Sequence, residues 1–450
     1  MITYKANNRN QPFLMPPSIQ EWLPQRHLAR FIVDTVEILN LNDIYKEYNK
    51  GGKEAYDPRS LLCLLFYGYS TGTFSSRKIE QATYDSIAFR YISANTHPDH
   101  DTIANFRKRF LPQISDLFVQ ILSIAQEAGL LKVGKVSLDG TKVKANASKH
   151  KALSYKHIQK LQSQLEAEVE ALLQKAQEAD NSKSDDGLNI PEEIERREDR
   201  LQVIKEAKQK IEARAKVRYE KEYKVYQEKM EKREAKEKLT GKKAAGKKPK
   251  APTKEPKDKD QVNLTDEESR IMPTSGGGYE QCYNAQASAD HDSRLILHTH
   301  VTQNANDKQE IMPTMKWYKE HPAFKPSTAF NADAGYFSQE NIKVCVDNDM
   351  TPYISFGKEQ HNQPLEERFK EADPLPDNPT EVERMKHRLQ TIEGKAIYAQ
   401  RKSIIEPIFG IIKHVMGFRQ FMLRGFKKAQ GEWSLICMAY NLKRLHTIMG

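Results

Sequence analysis

Three carboxylates in this chain have neighbours that suggest chemistry: Asp139, Asp333 and Glu406. Asp139 is the single acid in KVSLDGTKVK, where Val136, Leu138 and Val143 set a strand pattern. An acid inside an apolar strand is costly unless it is paired or binds a metal. Asp333 ends a second short strand pattern, STAFNADAGY, and the tight pair Ala334-Gly335 follows it. Glu406 lies in a long helical region, YAQRKSIIEPIFGIIKHVMG, directly before Pro407. Taken singly, the first two have a plain reading as turn or cap acids, and the third as a solvated helix charge. Taken together, three such acids can hold two divalent cations roughly 3.5–4 Å apart. One cation lowers the pKa of an attacking water or hydroxyl and the other stabilises the leaving oxygen, so no protein base is required. Oxygen donors select Mg²⁺ or Mn²⁺ over zinc.

For the three acids to meet, the elements that carry them must be neighbours. After the Asp139 strand come strand patterns at about 281–289 and in RLILHTHVTQ, then a helix capped by Asn306 or Asp307 and running to about His321. The Asp333 strand, the helix SQENIKVCVDN, the strand TPYISFG, a long helical region from near Glu381 and a final helix over about 429–449 complete the order. Three strands followed by alternating helices and strands describe an α/β fold, an RNase H-like mixed sheet with flanking helices. This holds if the 150–275 segment is an insertion after the first strand. In that order the Asp139 and Asp333 strands lie side by side, and the Glu406 helix can pack across them. Asp290 and Asp292, in DHDS, read as hairpin-turn acids.

Residues 1–130 read as a helical N-terminal domain. Helical spacing runs from His27 to Leu41, Asp57-Pro58 opens RSLLCLLFYGYSTG, and SSRKIEQATYDSIAFRYIS reads as one further helix. The last helix is expected to be capped by Asp101 or Thr102 and closed by Gly129, and it carries Arg107, Lys108 and Arg109. Short helices, a polar turn and a basic helix suit a helix-turn-helix-like DNA binder. The plainer reading is a helical domain with a solvated basic face. His97 and His100 flank Pro98-Asp99, which reads as a turn rather than a metal site.

The middle of the chain is highly charged. Ile158, Leu161, Leu165, Val169 and Leu172 step by three and four, as do Ile194, Leu201, Ile204, Ile211 and Ala215 with one step unfilled. These seams predict a helical, coiled-coil-like hairpin over 146–240, folded back at the turn-rich DNSKSDDGLNIPEE. Residues 241–275 are expected to be a Lys/Pro-rich disordered linker. The catalytic sheet would then comprise 131–145 and 276–450.

Composition narrows the partners. A net charge of +10 favours a polyanion. The four cysteines, Cys63, Cys282, Cys345 and Cys437, are far apart, which argues against a zinc ribbon or a disulfide framework. The glycine run Gly276–Gly278 has no following Lys-Ser/Thr, so it is not a P-loop. The N-terminus shows no signal pattern, and no apolar run approaches the roughly 18 residues that span a bilayer. A cytoplasmic protein with no membrane contact is expected.

The segments DGTKVKANAS, YNAQ, NADAGYF and RKSIIEPIFGIIKHVMGFRQFMLRG resemble the DDE transposases of bacterial insertion sequences. PDHDTIANFRKRF resembles the helical domain that precedes the catalytic domain in their insertion-sequence 5/1182-like branch. The resemblance implies a catalytic and metal-binding triad of Asp139, Asp333 and Glu406 with two Mg²⁺ or Mn²⁺ ions. It also implies a tyrosine, an arginine and a lysine about the glutamate, for which Tyr398, Arg401 and Lys413 are available. The arginine lies one residue further from Glu406 than in the related pattern, and Lys402 holds the i−4 position, so either can fill the basic role. On a regular helix Lys402 is rotated about 40° from Glu406 and Arg401 about 140°, which favours Lys402. Lys142, Lys144, Lys402 and Lys413 would contact phosphates, and the N-terminal domain would help to recognise DNA. The implied activity is cleavage at terminal inverted repeats and joining of the 3′ hydroxyls to target DNA, by a homodimer or larger assembly. The alternatives are an inactive transposase-derived DNA-binding protein, or a nuclease of the same fold without strand transfer.

Overall fold

The computed structural model describes residues 18–48, 55–181, 190–241, 246–274, 276–357, 372 and 374–450, with side chains of 176–181 and 190–191 left aside. The chain forms two compact units, one of residues 1–146 with 282–450 and one of residues 147–281.

The first unit begins with helices α1 (Leu28–Ile38), α2 (Asn42–Lys46), α3 (Pro58–Ser70), α4 (Ser76–Asp85), α5 (Ile87–Ile92) and α6 (His100–Glu127). The Asp57 carboxylate accepts from the Arg59 N–H, and Pro58 occupies the first turn of α3, where its missing N–H is not needed. The segment expected as one helix over 75–93 is two, because Ser86 takes an extended backbone between α4 and α5. The cap of α6 is Asp99 rather than Asp101 or Thr102. Its carboxylate accepts from the Thr102 N–H at 2.8 Å, the N-cap reach to the third helical N–H.

The strands of this unit are β1 (Lys135–Lys144), the greater part of β5 (Tyr279–Asp290), β6 (Ile296–Thr302), β7 (Ala329–Ala332) and β8 (Pro352–Ile354). They pair in the order β6-β5-β1-β7-β8, antiparallel for β6-β5 and β5-β1 and parallel for β1-β7 and β7-β8. Helices α9 (Ile311–Glu320), α10 (Gln339–Asp347), α11 (Glu381–Gln390), α12 (Ile392–Gly410) and α13 (Phe426–Met449) accompany them. The result is the mixed α/β sheet of an RNase H-like fold.

Helix α13 is apolar around most of its circumference, which marks a helix buried on all sides. Trp433 donates its indole N–H to the Gln286 carbonyl, and the Asn441 amide brackets the backbone of Ile296. Its other side meets α6 closely enough that a Cβ at Gly431 would stand 2.9 Å from Leu111. The fully buried Glu432 joins the helical region to the sheet region. Its carboxylate accepts from Tyr69 Oη at 2.7 Å and from the Met422 and Leu423 N–H groups at 2.9 and 3.0 Å. Arg107 supplies the balancing charge, and its Nη1 donates to Tyr69 Oη at 3.0 Å.

In the second unit, β2 (Ala152–Ser154) and β3 (Gln261–Asn263) pair antiparallel beside α7 (Tyr155–Asn181) and α8 (Ile190–Thr240), with β4 (Arg270–Pro273) further along. The helices run antiparallel, since Lys208 reaches Gln162 while Arg197 reaches Glu168. Ile158, Leu165, Ile204, Ala207, Ile211 and Val262 form the core between them. The linker expected over 241–275 is corrected at β3 and β4, where backbone pairing that local composition does not encode builds strands. Residues 242–245 and 275 of that stretch, and 182–189 of the expected turn, lie outside the described residues. No described helix is long and apolar enough to cross a membrane.

Glu432→Ala should strand the Tyr69 hydroxyl, two backbone donors and the Arg107 charge in the interior. Its expected cost is about 3 kcal/mol or more in equilibrium urea unfolding. Glu432→Gln keeps the acceptors and should cost less. A loss under about 1 kcal/mol for Glu432→Ala would contradict this account of the junction.

Candidate active site

The site begins with the register of two parallel strands. Leu138 of β1 pairs with Ala332 of β7, so the next residues, Asp139 midway along β1 and Asp333 just past the end of β7, stand at the same level. Asp139 Oδ1 accepts from the Gly140 N–H at 2.8 Å, and its Oδ2 lies 3.1 Å from Arg401 Nη1. Asp333 caps the turn after β7, where its Oδ1 accepts from the Gly335 N–H at 2.8 Å. Burial pushes the Asp139 carboxyl up to about 7. Arg401 opposes that rise, and the charges of Asp333 and Asp307 add to it.

Arg401 comes from α12 and is itself buried. Its Nη2 stands 3.9 Å from Glu406 Oε1, and its guanidinium lies 5.9 Å from the Tyr398 ring centre. Burial works against the Arg401 charge, and Asp139, Tyr398 and Asp333 more than offset it, so its pKa is raised. The expectation that Lys402 fills the basic position therefore needs correction. Rotation about a helix axis measures closeness to Glu406 alone, whereas the partner that matters, Asp139, sits on β1. Arg401 faces the sheet, and Lys402 is on the exposed side of α12. Glu406 remains 56% exposed at the end of this ion-pair chain.

Pro407 lies inside α12 rather than at its start. A wider turn over Ile411–Val415 follows, closed by the Met416 N–H donating to the Ile411 carbonyl at 2.8 Å. It delivers Lys413 to β1, where Nζ donates to Thr141 Oγ1 at 2.6 Å and to the Lys142 carbonyl at 2.8 Å. Burial lowers the Lys413 pKa. The next residues pair with the end of β1, since the Lys144 N–H donates to the Arg419 carbonyl and the Phe421 N–H to the Lys144 carbonyl. Lys413, read from sequence as a phosphate contact, spends its donors on β1 here.

The remaining sequence candidates divide. Lys142 stands 3.7 Å from Asp307, and Lys144 is exposed. Lys108 is exposed, and Arg109 is exposed but paired with Glu47 at 3.0 Å. Arg107 is the correction in this group: it is 6% exposed and donates to Tyr69 and to the Phe74 carbonyl, so it presents no charge at the surface. Its long-range partners are invisible in the local helix pattern. His100, the first residue of α6, pairs with Glu80, and His97, in the loop before that helix, pairs with Thr83. Asp290 accepts from Ser293 in its hairpin turn.

Sequence reasoning missed the polar floor beside Asp139. Asn284 and Gln286 stand on one face of β5, and both donate to Asp307 Oδ1, at 2.6 and 2.7 Å. Tyr336 donates to Gln286 Oε1 and fixes the direction of that amide. The alternate polar positions of YNAQ carried the signal, since two amides on a buried strand face need partners. Asp307 does not cap α9, whose N-cap is Glu310.

Among the described residues no three His, Cys, Asp or Glu side chains are grouped closely enough to hold a metal as they stand. The donor chemistry nevertheless fits Mg²⁺ or Mn²⁺. The candidate ligands are carboxylate oxygens, and one arginine leaves the buried Asp139 under-compensated. In metal-free protein the folded chain should hold a proton on Asp139 between about pH 4 and 7 that the unfolded chain releases, so stability falls as pH rises through that window. Asp139→Asn should accordingly raise the unfolding midpoint at pH 8 and do so much less at pH 5. An equal effect at both values would show that the buried charge is balanced.

Residues 17–109 match the family described as Transposase domain (DUF772), and residues 250–442 match Transposase DDE domain. No curated protein and no solved structure matches the chain. The order of strands, the acids within β1 and just after β7, and these two matches agree: the chain belongs to the DDE-type insertion-sequence transposases.

Proposed function

We propose that the protein is a DNA transposase that binds the ends of its own element, cleaves phosphodiester bonds there and joins the freed 3′ hydroxyls to target DNA. The observation that carries this reading is the pairing of Leu138 with Ala332. It sets Asp139, within β1, level with Asp333, just past the end of the adjacent β7, with Arg401 linking Asp139 towards Glu406. Asp139, Asp333 and Glu406 would hold two divalent cations, which supply an activated oxygen nucleophile and stabilise the leaving oxygen.

The chain's own groups do the rest. Arg401 keeps the Asp139 carboxylate in place and draws Glu406 towards it. Lys413 fixes the part of β1 just beyond Asp139, so the ligand-bearing backbone does not drift when DNA binds. Lys142, Lys144 and Lys402 are offered as phosphate contacts beside the site, and the helical region with Lys108 as a further DNA surface. Two element ends must meet for joining, so a homodimer or larger assembly on DNA is proposed. Residues 147–281 form an insertion that leaves the chemistry to the sheet.

Asp139→Asn, Asp333→Asn and Glu406→Gln should each abolish Mg²⁺-dependent cleavage of a labelled element end while leaving end binding intact or tighter, since each removes a negative charge near phosphates. Near-normal cleavage by any one of them removes that residue from the ligand set. Strand-transfer products on a supercoiled target separate a transposase from a nuclease that only cuts.

Arg401 and Lys402 should part company. Arg401→Ala should lower cleavage severely by releasing Asp139. Lys402→Ala should weaken end binding modestly and reduce the salt slope by about one. A larger cleavage defect at Lys402 than at Arg401 would contradict the assignment.

A further inference from the structure

We infer that Asp307 is a fourth carboxylate of the site, acting on the cations held by Asp139 and Asp333. The inference rests on the metal-site reading above and adds a residue to it. Asp307 lies in the turn between β6 and α9, far in sequence from either aspartate, yet it stands beside the glycine that follows each of them. A Cβ at Gly140, the residue after Asp139, would stand 2.8 Å from Asp307 Oδ1. A Cβ at Gly335, two residues after Asp333, would stand 3.6 Å from Asp307 Oδ2 and 3.0 Å from Asp333 Oδ1. Glycine at both positions leaves the space that lets this carboxylate approach.

The two oxygens of Asp307 have different surroundings. Oδ1 takes the donors: Asn284 Nδ2 at 2.6 Å, Gln286 Nε2 at 2.7 Å and Lys142 Nζ at 3.7 Å. Oδ2 receives no hydrogen bond among the described residues and faces the Gly335 turn. A carboxylate anchored through one oxygen, with the other directed to a neighbouring acid, is arranged to bind or orient a cation there. A purely structural clamp would need only the neutral acceptor that an amide also offers. The chain instead places a charge that adds to the repulsion on Asp139, an unfavourable arrangement that a bound cation would relieve.

Mn²⁺ binding to the full-length protein, measured by isothermal calorimetry without DNA, tests this. Asp307→Asn keeps an acceptor for the two amides and removes the charge. It should weaken Mn²⁺ binding about tenfold or more, shift the Mg²⁺ midpoint of end cleavage upwards, and leave the metal-free unfolding midpoint unchanged or raised. Asp307→Ser serves if the asparagine variant does not fold, with the same expectation for Mn²⁺. Wild-type Mn²⁺ affinity and an unshifted Mg²⁺ midpoint in a folded variant would overturn the inference and leave Asp307 as a clamp on β5. Asp139→Asn and Asp333→Asn are measured alongside. If these lose Mn²⁺ binding while Asp307→Asn keeps it, only the Asp307 assignment fails. If all three keep it, the metal-site reading itself fails.

Discussion

Removing a carboxylate from water is expensive, and the structure around β1 is arranged to make that tolerable at one place. Asp139 is the centre of that arrangement. Arg401 gives it one counter-charge at 3.1 Å, while Asp333 and Asp307 press their own charges on it. A single buried arginine does not neutralise such a set, so the site carries an electrostatic deficit. Where Asp139 is ionised, that deficit lowers the stability of the metal-free fold, and a cation bound there would relieve it. Stability and the proposed function are therefore opposed at Asp139, as they commonly are at charged sites in enzymes.

The rest of the first unit keeps this costly point from relaxing. β1 is paired on both sides, to β5 and β7, so it cannot shift without breaking two ladders. Lys413 and the 419–421 segment tie its far end to the turn after α12. That turn leads to Met422 and Leu423, whose N–H groups are held by Glu432, and Glu432 in turn holds Tyr69. A continuous run of hydrogen bonds and backbone thus joins the helical N-terminal region to the strand that bears Asp139. Such a run gives a physical route by which a change in the helical region reaches the strand of Asp139.

Much of this was legible in the sequence because it depends on local pattern and strand order. The alternation around Asp139 and the short run before Asp333 marked two strands, and the order of elements made them neighbours. The apolar steps of residues 158–172 and 194–215 marked the paired helices of the second unit. What stayed hidden depends on contacts between distant segments. Arg107 looked like a surface charge on a basic helix, and its burial beside Tyr69 and Glu432 is a long-range fact. Arg401 lost to Lys402 on helical rotation because its partner lies on a strand 262 residues away. Asp307 passed as a helix cap, and β3 and β4 lay in a stretch where lysine and proline suggested no structure at all.

Iron-directed backbone cleavage addresses the central claim most directly. Fe²⁺ replacing Mg²⁺ in the folded protein, with ascorbate and peroxide, generates radicals that cut the chain next to the metal. Cuts should cluster at 139–141, 333–335 and about 406, disappear with excess Mg²⁺, and be lost in Asp139→Asn. Cuts confined to other segments, or cuts at these three that Mg²⁺ does not suppress, would contradict a metal centre built on Asp139, Asp333 and Glu406.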